Sequence, residues 1–366
     1  MKNKKLKVSV IGGGINSAVG YAHYSAIKLS NKFEITCGNF SRNSKTNRES
    51  AEIYGVNKVY SDYRTMLLEE KNNIDAVVIL TPTDQHYDQL DLAISLGIPI
   101  VCEKCLIANN LELEKLKEKQ SNNFIAVVFN YLCYPMLKEL KSIIDSGGIG
   151  KILQIQIEMP QEGFLRHMNG LPLKPQKWRL VDGRVPTLSL DLATHTYSIV
   201  RFLTSQNPLE VIAVESSFGN FPGIVDDINC IIKYTNDIIC NMWYSKTALG
   251  NRNGLRVRIF GSDGSAEWYQ LEPEVIHMSD KSGKISLLDR GSEGLLTANE
   301  FKYNRFKVGH PVGFIESLAN FYEDVYDDFK KSHDDRVTYG LEQSEECIKL
   351  LEAISKSSEE KSWQSL

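Results

Sequence analysis

Up to about residue 130, short apolar runs alternate with amphipathic stretches. The runs at residues 6–11, 33–38, 76–80, 98–102 and 124–129 are nearly all apolar, the pattern of strands buried on both faces of a parallel sheet. Between them lie segments with helix start signals. Ser61-Asp62 precedes residues 63–70, and Thr83-Asp84 precedes residues 85–96, which Gly97 and Pro99 close. Strands alternating with helices in this way predict a βαβ series, hence a doubly wound α/β half over residues 1–130. The pattern then changes. A helix opened by Pro135 and closed by Gly147-Gly148 leads into residues 151–159, 227–234 and 255–260, which alternate with period two. That alternation reads as one-sided, mainly antiparallel open sheet. Helical patterns return at about 187–203, 313–330 and 340–356, and the tail from Ser357 reads as merely polar. A second, α+β domain with C-terminal helices is therefore expected over residues 131–366.

Composition changes this picture little. A chain of 366 residues has room for two domains at about 150 residues each, and its 42% hydrophobic and 24% charged residues are those of an ordinary globular protein rather than a disordered one. The net charge of -4 argues against a nucleic-acid partner, which calls for a basic face. No apolar run approaches the roughly 20 residues of a membrane helix, so no membrane association is expected. The basic start is followed by apolar residues only at 8–11 before three glycines intervene, too short a run for an export signal. Cysteines stand at 37, 102, 105, 133, 230, 240 and 347, an odd number in a chain too long to need disulfide staples, which points to a reducing cytoplasm. Cys102 and Cys105 form a C-x-x-C, but no second pair or histidine cluster completes a zinc site, so no metal is expected.

The first chemistry lies at Gly12-Gly13-Gly14-Ile15-Asn16-Ser17, directly after the first strand. A glycine motif that follows a strand and opens a helix is credible as a dinucleotide fingerprint, which makes this half a Rossmann domain. Gly12 is expected to permit the tight turn and Gly14 to let a pyrophosphate approach the backbone, with the helix N-terminus supplying amide donors. Ser17 stands where Gly or Ala is usual, with Ala18 and Gly20 keeping the surface small. At the end of the second strand an acid would select NAD and a base NADP. Here the segment Gly38-Asn39-Phe40-Ser41-Arg42-Asn43-Ser44-Lys45 holds no acid, while Ser41, Arg42 and Lys45 suit a 2'-phosphate. The same loop reads equally as solvated surface, so NAD and NADP both stay open.

Further on, Glu103-Lys104-Cys105 ends the fourth long strand, where side chains at the C-terminal edge of a parallel sheet face the ligand crevice. Asp191-Leu-Ala-Thr-His195 sets a carboxylate and an imidazole at i, i+4 on one helix face, joined by Ser198, with Leu192, Ile199 and Leu203 opposite. By itself such a pair is usually structural; the company of Lys104 makes it a candidate for catalysis.

These residues resemble the glucose-fructose oxidoreductase, inositol dehydrogenase and MocA-like family (Gfo/Idh/MocA). The likeness runs through the glycine turn at 12–17, Thr81-Pro82 with His86, Glu103-Lys104, Asn130-Tyr131, and Asp191 with His195. It is nearest to the levoglucosan dehydrogenase-like branch, on Gly12-Gly13-Gly14, Tyr134-Pro135-Met136, Lys177-Trp178-Arg179, Gly250-Asn251-Arg252-Asn253-Gly254-Leu255 and Gly309-His310-Pro311. The resemblance implies a Rossmann domain that binds NAD(H) or NADP(H) and a second domain whose open sheet covers the substrate and makes a homo-oligomer, a dimer or tetramer. It further implies that Gly12, Gly14, Ile15, Asn16, Thr81, Pro82, His86, Glu103 and Asn130 serve the cofactor. Lys104, Asp191 and His195 then transfer the proton and orient a sugar or polyol, with Trp178, Arg179 and Tyr244 as candidates for the pocket wall. Two positions depart from the family. Cys105 replaces the proline of Glu-Lys-Pro and lacks its fixed φ, and Ala193 stands where glycine is usual.

Three functions are compatible with that family: a sugar or inositol dehydrogenase, an NAD-dependent glycosidase in which the cofactor is oxidised and reduced within one turnover, and a ligand sensor that has lost the chemistry. Net NADH production separates the first from the second, and the intact Lys104, Asp191 and His195 argue against the third.

Overall fold

The computed structural model describes residues 4–119 and 123–366. The chain forms two compact units, one of Met1–Cys133 with Gly313–Glu345 and the other of Tyr134–Val312 with Glu346–Leu366. The expectation that residues 131–366 stay together differs from this division at 313–345.

In the first unit, β1 (Leu6–Gly12), β2 (Phe33–Asn39), β3 (Lys58–Val59), β4 (Ala76–Leu80), β5 (Ile100–Glu103) and β6 (Ile125–Val128) alternate with α1 (Gly20–Ser30), α2 (Ser44–Tyr54), α3 (Tyr63–Glu70), α4 (His86–Ser95) and α5 (Asn110–Lys119). The strands pair in parallel in the order β3-β2-β1-β4-β5-β6, the 3-2-1-4-5-6 arrangement of a dinucleotide-binding Rossmann sheet, whose ligand crevice opens where the order reverses between β1 and β4. All five residues of β4 and all four of β6 are buried, as parallel strands covered on both faces require. The two-residue β3 is too short to leave a periodic signal. A late helix, α8 (Phe314–Asp328), packs on α1 with Leu318, Phe321, Tyr322 and Val325 buried. That burial is why residues 313–345 return to this unit after a long excursion of the chain.

The second unit contains α6 (Pro135–Asp145), β7 (Ile152–Pro160), a small hairpin of β8 (His167–Met168) and β9 (Leu171–Pro172), and α7 (Thr194–Thr204). Then come β10 (Pro208–Ser216), β11 (Asp227–Tyr234), β12 (Ile238–Ser245), β13 (Arg256–Gly261), β14 (Gly264–Tyr269), β15 (Val275–Asp280) and β16 (Ile285–Asp289). α9 (Leu341–Glu360), most of which belongs here, leads to β17 (Gln364–Ser365). Nine strands form one sheet in the order β16-β15-β14-β13-β7-β12-β11-β10-β17, antiparallel throughout except for the parallel pair β7–β12. The alternation holds through the middle of these strands. Ile228, Cys230 and Ile232 of β11 and Ile155 and Ile157 of β7 are buried, whereas Asn229 and Ile231 are exposed. The polar tail proves to be structural: Gln364 pairs with Val211 of β10, and the buried Ser357 hydroxyl accepts from the Ala213 amide at 3.0 Å and donates to the Ser362 carbonyl at 2.7 Å. Polar residues that cap a sheet edge look the same in sequence as solvated ones.

Candidate active site

The glycine-rich turn is longer than a direct strand-to-helix junction. α1 begins at Gly20, not within Ile15–Ser17. Gly12 and Gly13 have φ of 78° and 68°, a left-handed backbone that glycine adopts without strain. A Cβ on Gly20 would lie 2.0 Å from the Gly13 carbonyl oxygen, so Gly20 fills the helix-packing role for which Ser17 stood in the expected spacing. Ser17 instead accepts from the Val19 and Gly20 amides, each at 3.3 Å, and so caps the start of α1. Glycine at position 14 also answers a packing constraint inside the unit. A Cβ there would meet the Phe40 carbonyl at 2.8 Å and the Ser50 hydroxyl at 3.0 Å, so the close approach is to β2 and α2. The amides of Gly14 and Ile15 bond those same two groups, leaving Ile15 and Asn16 exposed on the outside of the turn.

These residues fit an anionic dinucleotide. The first turn of α1 carries no acid, so the positive end of the helix dipole suits a phosphate. Beyond β6, the Asn130 side-chain nitrogen is buried with no partner among the described residues, a donor that a ligand oxygen would satisfy. At the end of β2, Asn43 caps α2 by accepting from Lys45 and Thr46, and Asn47 accepts from the Phe40 and Ser41 amides. Arg42 and Lys45 are exposed, and Lys45 lies 3.8 Å from Glu49.

The ends of β4 and β5 are tied together by His86. It is fully buried, with Nε2 2.8 Å from the Thr81 carbonyl and Nδ1 2.9 Å and 3.1 Å from those of Cys105 and Leu106. Burial pushes the His86 imidazole below its ordinary range, against the pull of the three carbonyls. His86 therefore fixes the two loops rather than reaching a ligand. Thr81 bonds Gln89 at 2.7 Å, and the exposed Pro82 starts the turn into α4. The Lys104–Cys105 peptide is cis. Glu103 accepts from the Lys104 amide at 3.1 Å and from His23 Nε2 at 2.8 Å. His23 escaped the sequence reading, although its place three residues after Gly20 was the available signal. All seven cysteines are buried thiols outside any disulfide, and among the described residues no cluster of His, Cys, Asp or Glu is placed to hold a metal.

In the second unit, Asp191 sits in a turn of π-helix, Ser189–Ala193, that runs straight into α7; such wide turns recur at functional sites. Its carboxylate Oδ2 accepts from Arg179 Nε at 3.1 Å and from Lys246 Nζ at 2.5 Å. Lys246 is 5% exposed, with its ammonium 5.3 Å from the centre of the Phe164 ring. No local pattern marked it, because it follows β12 and lies 55 residues from Asp191. Arg179 stacks its guanidinium 4.6 Å from the Trp178 ring centre, and both side chains bond Gln176. His195, 7% exposed, opens α7 one turn after Asp191. Tyr244, expected at the pocket wall, is fully buried with its hydroxyl 2.9 Å from that of Ser189, so it braces the π turn. Ser198 is likewise committed, donating to the His195 carbonyl.

A 3-2-1-4-5-6 sheet with this glycine turn defines a dinucleotide-binding domain of the Rossmann type. Residues 6–128 match the family profile described as oxidoreductase family, NAD-binding Rossmann fold, and residues 137–267 match the GFO/IDH/MocA C-terminal domain. Together they take in well over half of the chain, which belongs to the GFO/IDH/MocA oxidoreductase family. An uncharacterized oxidoreductase of Bacillus subtilis, YfiI, is 29% identical, with 87% of this chain and 84% of that protein aligned. Levoglucosan dehydrogenase of Pseudarthrobacter phenanthrenivorans is 24% identical over 72% of this chain and 73% of its own length. The crystal structure of an inositol dehydrogenase homolog from Azotobacter vinelandii, complexed with NAD+, shares the fold at a TM-score of 0.90 and 23% identity, covering 99% of this chain and 98% of that one. Among the described residues no helix is long and apolar enough to cross a membrane.

Proposed function

We propose that this oxidoreductase moves a hydride between nicotinamide and a secondary alcohol of a sugar, an inositol or a sugar derivative. The observation that carries the reading is the pair Asp191 and His195 on consecutive turns, with the Asp191 carboxylate held by Arg179 and Lys246. A carboxylate so held is preorganised to orient a polyol, beside an imidazole, the side chain that most often serves as general base. His195 takes the hydroxyl proton in oxidation, Lys104 hydrogen-bonds the same oxygen and stabilises the developing alkoxide, and Asp191 orients substrate or imidazole. Trp178 and Arg179 line the pocket. When bound, the nicotinamide cofactor supplies the hydride acceptor. Gly12, Gly14 and the first amides of α1 receive the pyrophosphate, Asn130 bonds the nicotinamide end, and Arg42 with Ser41 and Lys45 receives a 2'-phosphate where NADP is used. The open face of the nine-stranded sheet makes a homo-oligomer, and the unbridged cysteine thiols suit a cytoplasmic setting.

The test is a panel of sugars, inositols and sugar derivatives screened with both cofactors by nicotinamide absorbance. His195→Ala is expected to lower kcat about 10²- to 10⁴-fold with cofactor affinity nearly unchanged, since a group acting in the transition state changes kcat rather than KM alone. A folded His195→Ala protein that turns over at the wild-type rate ends the reading. Release of an aglycone without net NADH replaces it with a glycosidase.

A further inference from the structure

Glu103, His23 and Tyr322 form an unbroken buried chain within the first unit. The Glu103 Oε1 lies 2.8 Å from His23 Nε2, and His23 Nδ1 lies 2.7 Å from the Tyr322 hydroxyl. His23 is 1% exposed, Tyr322 0% and the Glu103 side chain 13%. The other oxygen of Glu103 accepts from the backbone amide of Lys104. Three elements distant in sequence, α1, β5 and α8, thus converge on the peptide that carries the Lys104 side chain.

With the imidazole neutral, the chemistry of the three groups sets the direction of each bond. A carboxylate only accepts, so Nε2 of His23 donates to Glu103. Nδ1 of the neutral ring then accepts from the Tyr322 hydroxyl, which burial keeps protonated by raising its pKa well above the ordinary value. Each polar atom is satisfied, which is the condition under which a buried network rigidifies its surroundings. A carboxylate at a strand end that lost its imidazole partner would turn toward water and release the amide beside it. His23 also belongs to the first turn of α1, where its amide bonds the Val19 carbonyl, so one residue anchors both the glycine-rich turn and the Lys104 peptide.

We infer that His23 is a positioning residue, held as the neutral Nε2–H tautomer, which through Glu103 sets the pose of Lys104. The inference rests on the reading that Lys104 acts on substrate, but its test needs no substrate. Nitrogen–proton correlation NMR of histidine-labelled protein reads the tautomer: the Nε2–H form is expected, and an Nδ1–H form overturns the chain of bonds. Tyr322→Phe and Glu103→Gln conserve volume and keep the fold measurable. In each, the rate of modification of Lys104 by trinitrobenzenesulfonate at fixed pH, located by mass spectrometry, is expected to change about threefold. The exposed Lys71 serves as the unmoved reference, and loss of stability alone moves both lysines together. A Lys104 rate unchanged in both variants overturns the positioning role, whichever sugar the protein oxidises. A changed rate in a protein that oxidises no sugar leaves the positioning role standing and removes only the dehydrogenase reading.

Discussion

The two units build their sites from different materials. In the first, the turn after β1 works through backbone: left-handed Gly12 and Gly13, a Gly20 whose missing Cβ admits the Gly13 carbonyl, and amides at the start of α1. In the second, a carboxylate at 191 is held by cations from positions 179 and 246. A backbone site depends on close approach and tolerates no added atom. A side-chain site depends on charge balance and tolerates changes of shape better than changes of charge. The first kind leaves a local trace in sequence, because glycines must recur at short spacing, whereas the second is assembled from segments that share no local pattern.

Substitution should separate the two materials. The largest effect is expected at Gly20, where Gly20→Val forces a side chain into the Gly13 carbonyl. Overpacking of this kind costs about 3 kcal/mol or more, and NADH binding, followed by fluorescence titration, should be lost with it. Unchanged affinity would show that the turn is not built on that contact. Lys246→Met keeps much of the volume but removes one cation from Asp191, for an expected loss of about 3 kcal/mol in thermal or denaturant unfolding. NADH affinity should hold, and the double variant with Asp191→Asn should be less destabilised than Lys246→Met alone. If the double variant is worse, the charge pair is not what holds the turn.

A smaller effect should appear with pH. Because burial lowers the pKa of His86, the unfolded chain binds a proton there that the folded protein resists. Stability is therefore full above the unfolded value of about 6.5 and declines as pH falls from it through the lower folded value. Melting temperatures measured from about pH 7 to about pH 5 should fall less steeply in His86→Gln than in wild type, and parallel slopes would remove His86 as a cause. The smallest effect is expected at Arg42, which is exposed at the end of β2. Arg42→Ala should weaken NADP+ binding about tenfold, or about 1.4 kcal/mol, and leave NAD+ unmoved. An unmoved NADP+ affinity would make the loop plain solvated surface.

The sequence by itself determined the layered architecture, since apolar runs of 76–80 and period-two alternation at 227–234 correspond to β4 and β11 residue for residue. Burial on both faces or on one imposes those patterns whatever the rest of the chain does. Sequence also marked Gly12 to Gly14, Lys104, Asp191 and His195 as the residues worth following. What it could not decide were matters of distance across the chain. α1 starts at Gly20 because a carbonyl, not a spacing rule, sets where the helix can pack. Tyr244 and His86 turned inward because each found a buried partner contributed by another segment, Ser189 for the one and the Cys105 carbonyl for the other. Lys246 and His23 became site residues only when folding set one beside Asp191 and the other beside Glu103. Periodicity records what each residue faces, core or water, whereas the partner of a buried charge is fixed by contacts between segments, and those exist only in the folded chain.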